Sequence, residues 1–182
     1  LIATDKTGTL TCNELTVTTV ELVNAAEPAA PPDRLSIGGH GFAPTGGVFR
    51  DGRSIVPDAA IPLAAKEPRL HALACCGMLC NEATLRRSDA GWSARGDAVD
   101  VALLSLGMKL GIEREALLTE APQFDSLPFE PDHRFAATFH AFPHGRVACV
   151  KGAPEALLPL CAGSPEWRAA WHGRAAALAA EG

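Results

Sequence analysis

Leu1-Ile2-Ala3-Thr4-Asp5-Lys6-Thr7-Gly8-Thr9-Leu10-Thr11 opens the chain, and everything downstream is read against it. A short apolar run, Leu1 to Ala3, leads straight into a carboxylate. Behind it stand an ammonium, three hydroxyls and an unhindered glycine backbone. A strand ending at Asp5 would hold that side chain where ligands of open α/β sheets bind. The loop amides and hydroxyls can take phosphate oxygens, and Gly8 permits a tight turn. A carboxylate so placed can act as a nucleophile and form an acyl phosphate. A strand followed by a polar turn, with no chemistry, is the plain alternative.

The bulk numbers bound the answer. The 182 residues suffice for one domain, or for one domain with a piece of another. Hydrophobic residues at 47% against 20% charged allow a globular core. A net charge of −5, with no basic face in the sequence, argues against a nucleic-acid partner. No run reaches the roughly 18 apolar residues of a membrane-spanning helix, so direct membrane insertion is not expected. The opening residues lack a signal-peptide pattern. Six cysteines (Cys12, Cys75, Cys76, Cys80, Cys149, Cys161) lie in apolar stretches without a Cys-x-x-Cys pair. That favours buried, reduced thiols over a disulfide framework or a zinc site. His140 and His144 flank a turn at Pro143 and Gly145 and are not expected to share a metal.

Along the chain, Leu15 to Val23 is β-branched and reads as a strand. Asn24 to Asp33 reads as a loop. Val48-Phe49 before Asp51-Gly52 predicts a hairpin, and Asp58 to Glu67 is irregular. Pro68 to Cys80 carries apolar residues at helical spacing, with Pro68 in the first turn and Asn81 at the stop. Ala83 to Arg87 and Gly91 to Arg95 pair around Ser88-Asp89-Ala90. Asp97 caps the next helix, Asp100 completes a capping box, and Val99, Ala102, Leu103, Leu106 and Leu110 form the apolar face. Gly111 ends that helix, and a short one follows from Glu113 to Thr119. Phe124 to Phe129, Phe135 to Phe142 and Arg146 to Val150 read as strands. Helices are predicted from Pro154 to about Cys161 and from Pro165 to Ala180. The fold class is α+β, an antiparallel β-sheet flanked by helices.

Lys151-Gly152-Ala153-Pro154-Glu155 follows a strand and opens a helix. Lys151 can meet a phosphate or lay its stem along a base, and Gly152 removes a side chain that would block a flat ring. Pro154 presets the first helical turn and Glu155 suits its positive end. A strand-to-helix turn with a surface lysine is the plain alternative. No Gly-Lys-Ser/Thr triplet is present, which excludes a Walker-type loop.

Asp5-Lys6-Thr7-Gly8-Thr9-Leu10-Thr11 resembles the phosphorylation motif of P-type ATPases, the pumps that move ions or lipids across membranes. Lys151 to Glu155 resembles the nucleotide-binding motif of the same pumps. Cys80-Asn81-Glu82-Ala83 and Gly96-Asp97-Ala98-Val99-Asp100-Val101-Ala102-Leu103 are similar to segments of the type II, cation-pumping branch. Leu127-Pro128-Phe129 matches the Pro-Phe whose ring stacks on adenine. The resemblance covers roughly residues 1–161. It implies Asp5 as the phosphorylated residue with Lys6 and Thr7 beside it, and Mg2+ held at Asp5 and Thr7. It implies ATP bound by Phe129, Lys151 and Gly152, with Asp97 and Arg134 nearby. Asp97 would meet the adenine amine or serve only as a helix cap, and Phe129 would stack or join the core. Arg134 stands where calcium and sodium/potassium pumps carry Lys, and Pro131 where calcium pumps carry Arg. Partners follow from the same resemblance: ATP and the rest of a pump, its phosphorylation, actuator and membrane domains. Residues 1–14 would then be a phosphorylation-domain fragment, and 15–182 the nucleotide-binding domain. The setting would be the cytoplasmic side of an integral membrane protein, in a bacterial inner membrane. As an excised piece, the chain is expected to be inactive on its own. A soluble phosphatase of the haloacid dehalogenase group shares the nucleophile but carries a second Asp where Thr7 stands. A module that binds no nucleotide and docks to another protein is the third possibility.

Overall fold

The computed structural model describes residues 14–23, 31–55 and 62–181. The Asp5 motif and the strand expected at Leu1 lie outside them. Strands β1 (Thr19–Leu22), β2 (Asp33–Ile37), β3 (Val48–Arg50) and β4 (Arg53–Ser54) form one antiparallel sheet in that order. A single helical turn, α1 (Leu63–Lys66), precedes helix α2 (Pro68–Leu79). The hairpin β5 (Thr84–Ser88) and β6 (Gly91–Arg95) leads to α3 (Ala98–Lys109) and α4 (Arg114–Glu120). The third sheet, also antiparallel, is β7 (Gln123–Leu127), β8 (Phe135–Phe142) and β9 (Gly145–Gly152). A helical turn α5 (Pro154–Leu157), a 3-10 turn (Leu158–Leu160) and α6 (Pro165–Ala180) complete the chain. The architecture is α+β as expected, with three antiparallel sheets among the described residues rather than one.

Helix α2 is the centre. It touches α1, α3, α4 and β9, and Leu70, Ala74, Met78 and Leu79 on it are buried. Gly77 lets α3 come close, since a β-carbon there would lie 3.3 Å from Leu103. Leu35 and Val48 from the first sheet and Leu106 and Leu110 from α3 belong to the same apolar cluster. Burying such side chains is worth about 1.5–3 kcal/mol each.

The expectations hold closely where local chemistry is strong. The β3–β4 turn is Asp51-Gly52 with φ of 49° and 74°, the two positive values that a two-residue hairpin needs. They fail where the tertiary setting decides. The first strand is shorter than Leu15 to Val23 because Thr16 turns aside to donate to the Gly41 carbonyl, at 2.9 Å. The stretch read as irregular holds α1. The apolar face of α3 is wider than expected and shifted at its start: Ala102, Leu106 and Leu110 are buried as read, Val101 and Leu104 are buried with them, and Val99 is 51% exposed.

Arg50 ties the first sheet to the start of α2. It donates to both Asp33 oxygens at 2.8 Å and to both Glu67 oxygens at 2.7 and 2.8 Å. The Arg50 hydrogen bonds hold the Glu67 carboxyl below its ordinary range. A carboxylate depressed in this way stabilises the fold above its unfolded pKa and stops doing so as pH falls through the folded value. Glu67→Gln should therefore lower stability by about 1–2 kcal/mol at neutral pH. Thermal melts of variant and native chain should converge as pH falls below the ordinary carboxylate range; a gap unchanged by pH would refute the linkage.

Candidate functional site

A cavity of about 630 Å³ opens between the third sheet and the N-terminal turn of α3. That size suits a drug-sized or nucleotide-sized molecule. One wall is strand β9 with its neighbours: Lys151 lies opposite Ala136, and Cys149 opposite Thr138. Strand alternation puts Cys149 and Lys151 on the same face. The other wall is the loop after α2, Cys80 to Glu82, together with Asp97, Val99, Asp100 and Leu103. Leu127 and Phe129 sit at the end of β7 and just beyond it.

Asp100 organises this junction. It is only 5% exposed. One carboxylate oxygen takes the Lys151 ammonium, and the other accepts from the Glu82 amide at 2.9 Å. The sequence reading gave Asp100 a capping-box role. Its two oxygens are occupied by Lys151 and Glu82 instead, and the cap is Asp97, which accepts from the Val99 amide at 2.9 Å. Asn81, expected at the stop of α2, is also a strut. Its amide donates to the carbonyls of Gly77 at 2.9 Å and Asp100 at 2.8 Å, and its oxygen accepts from the Ala83 amide at 2.9 Å. Arg114 clamps the same loop through the carbonyls of Asn81 and Ala83. A buried asparagine with every polar atom used fixes a loop in one conformation.

Of the residues named from sequence, Asp97, Phe129, Lys151 and Gly152 line this one cavity. Phe129 is 59% exposed, so it is not part of the core. Gly152 is also required by its own surroundings: a β-carbon there would lie 2.5 Å from the Arg134 carbonyl oxygen and from Cβ of Phe135. Arg134 has an exposed side chain that is not among the cavity-lining groups. It contributes through its backbone, with φ of 56° and a carbonyl that accepts from the Ala153 amide at 3.0 Å. Asp5, Lys6 and Thr7 lie outside the described residues.

The histidine and cysteine expectations can be placed as well. His140 is fully buried; its Nδ1 lies 2.9 Å from the Ala121 carbonyl and its Nε2 2.9 Å from the Thr138 hydroxyl. A neutral ring that donates through Nδ1 and accepts at Nε2 satisfies both. Cys75, Cys80 and Cys149 are buried free thiols, and Cys76 is half-buried. Burial pushes Cys75 up to about 11.

Residues 69–164 match the family described as P-type ATPase, cytoplasmic domain N. The chain is 34% identical over 161 residues to a cation-transporting ATPase, pma1, of Synechocystis sp., covering 88% of this chain and 17% of that protein. It is 32% identical over 161 residues to the probable cation-transporting ATPase F of Mycobacterium tuberculosis, covering 88% of this chain and 16% of that one. A calcium-transporting ATPase 3, endoplasmic reticulum-type, of Arabidopsis thaliana is 35% identical over 130 residues, 70% of this chain and 12% of its own length. The chain thus spans less than a fifth of the relatives it matches. Among the described residues no helix is long and apolar enough to cross a membrane.

Proposed function

Because the chain belongs to the P-type ATPase cytoplasmic N-domain family, we propose that it is the ATP-binding domain of a type II cation-transporting pump and presents ATP for phosphorylation of Asp5. The observation that carries this reading is Phe129, a 59% exposed ring at the edge of a cavity that also holds Lys151. Leaving a benzyl ring in water forgoes its burial energy, and a flat base laid against it would recover that.

On this reading the base enters between Phe129 and the stem of Lys151. On the opposite wall Asp97 is an acceptor and suits an amine edge, while Asp100 is engaged by Lys151 and the Glu82 amide. With Glu82 beside them the cavity carries three carboxylates against one lysine. The triphosphate would therefore run outward, toward Arg134 and solvent, and affinity would be modest in the absence of a phosphate loop. Among the described residues no group of three acidic, cysteine or histidine side chains can hold a metal ion. Mg2+ would be held by Asp5 and Thr7. When bound, it would offset phosphate charge.

In the intact pump a carboxylate oxygen of Asp5 would attack the γ-phosphorus in line, forming an acyl phosphate as ADP leaves. Residues 1–14 would belong to the phosphorylation domain and 15–182 to the nucleotide domain. The phosphorylation, actuator and membrane domains would be its partners, and a bacterial inner membrane its setting. The isolated chain would bind ATP without turning it over.

An NMR titration with ATP, ADP and AMP tests the pocket. Shifts should centre on Phe129, Lys151 and Gly152 for all three ligands. Phe129→Ala should weaken ATP binding by about tenfold, the scale of one base–aromatic stack, and Lys151→Ala by a similar factor. A Lys151→Ala chain that binds like the native one, or shifts confined to another surface, would overturn the assignment.

A further inference from the structure

A second cavity, of about 340 Å³, opens on another face of α3. It shares no lining residue with the first: Leu103 lines the one and Leu104 the other. Its volume is at the lower end of the range for small-molecule sites. The floor is apolar, made by Met78 of α2, Leu104 and Met108 of α3, and Ile112 just beyond. Met78, Leu104 and Ile112 are buried, and Met108 is half-buried.

The rim carries charge of both signs. Arg86 of β5 and Arg114 bring guanidinium groups, while Glu113 and Glu115 bring carboxylates. Arg86, Glu113 and Glu115 are exposed and join none of the ion pairs among the described residues. Arg114 is placed differently. Its two terminal nitrogens donate to the carbonyls of Ala83, at 3.1 Å, and Asn81, and its Nε is buried without an acceptor. A buried donor left unpaired is costly and marks a place where a partner would be gained.

We propose that this cavity binds a free α-amino acid with an aliphatic side chain, which acts on the nucleotide cavity through Arg114. Each part of such a molecule meets a part of the site. Its carboxylate is the acceptor that the Arg114 Nε lacks, and the Arg86 guanidinium can share it. Its ammonium suits Glu113 and Glu115. Its side chain covers the apolar floor, where the flexible thioethers of Met78 and Met108 can fit a branched shape. A fatty acid would set its anion among two carboxylates with no cation of its own. An aliphatic amine would leave both guanidinium groups unmet.

Arg114 carries the coupling. The two carbonyls it holds flank Glu82, whose amide donates to Asp100, and Asp100 takes the Lys151 ammonium. A ligand carboxylate on Nε would complete the hydrogen bonding of the guanidinium and steady its grip on that loop. ATP affinity should rise, and by linkage ATP should raise the affinity for the amino acid by the same factor. This coupling rests on the nucleotide reading above; the amino-acid site does not.

The test labels the methionine methyl groups of the 182-residue chain for NMR. The chain has two methionines, Met78 and Met108, and both line this cavity. L-Leucine should shift both signals saturably in the millimolar range, and glycine should shift neither. Isocaproate lacks the ammonium and isopentylamine lacks the carboxylate. Each should bind at least about threefold more weakly than leucine, the scale of a rim-exposed charge contact. Arg86→Ala, and Glu113→Gln combined with Glu115→Gln, should weaken leucine by a similar factor, with circular dichroism checking that these exposed changes leave the fold intact. No saturable shift by about 20 mM leucine, equal binding of either analogue, or an affinity unmoved by these substitutions would overturn the site. Saturating ATP should tighten leucine binding at least about twofold. Unchanged leucine affinity with ATP bound overturns the coupling alone. Failure of ATP to bind overturns the nucleotide reading, and with it the coupling, while the methyl shifts still judge the amino-acid site.

Discussion

Replacing Gly152 by alanine is expected to destabilise the chain by about 3 kcal/mol, the scale of forcing atoms into a packed site and losing a hydrogen bond. The new methyl carbon would sit 2.5 Å from the Arg134 carbonyl oxygen, 2.5 Å from Cβ of Phe135 and 2.7 Å from its Cα. Two of those three atoms are backbone, so no side chain can swing away to make room. The end of the β8–β9 ladder must open, and the bond from the Ala153 amide to the Arg134 carbonyl goes with it. Gly173 in α6 supplies the control. A β-carbon there meets nothing within 4 Å, so Gly173→Ala should gain about 0.5–1 kcal/mol from helix propensity alone. Urea denaturation of both variants settles the point; a Gly152→Ala chain within 1 kcal/mol of native, by the same scale, would mean that the two strands are less closely apposed than described.

Asp100→Ala should cost a comparable amount, about 3–4 kcal/mol. The change strips the Lys151 ammonium of its partner and leaves the Glu82 amide without an acceptor, both beside a side chain that is almost wholly buried. Most of the loss comes from the groups left behind rather than from the pair itself. That distinction is measurable. Adding Lys151→Met to Asp100→Ala removes the orphaned cation, and the double variant should recover part of the stability, giving a coupling energy of about 1–3 kcal/mol in a double-mutant cycle. Strict additivity would show that the two side chains do not interact. A merely exposed ion pair would give a coupling below about 1 kcal/mol.

Asp100 also shows where sequence reading runs out. Its spacing from Asp97 is that of a capping box, and local pattern alone cannot reveal that its true partner lies 51 residues away on β9. The same limit explains α3. That helix is apolar nearly all the way round, so periodicity could not choose which stripe faces α2 and which lines the cavity with Val99 and Leu103. Most strands were legible, β2 at Asp33–Ile37 excepted, but the division into three sheets was not, because pairing is a tertiary fact. What could be read were features whose cause is local: the Asp51-Gly52 turn, Pro68 and Pro165 at helix starts, the strand from Phe135 to Phe142. Four sequence segments singled out for their chemistry, around Asn81, Asp97, Phe129 and Lys151, meet at one cavity. The Asp5 segment lies outside the described residues, so the sequence alone speaks for it.

The β5–β6 hairpin stands between the two segments, Cys80 to Glu82 and Asp97 to Leu103, that together form one wall of that cavity. Leu85 is its one buried side chain, its register runs from Thr84 opposite Arg95 to Ser88 opposite Gly91, and Asp89 and Ala90 turn at its tip. Its base is closed by Gly96 packed on Ala83. Such a finger is a natural place for length variation: each doubling of a flexible tip adds only about 0.6 kcal/mol of closure entropy. An epitope, a fluorophore or a peptide graft inserted between Asp89 and Ala90 would ride on the domain without entering its binding surface.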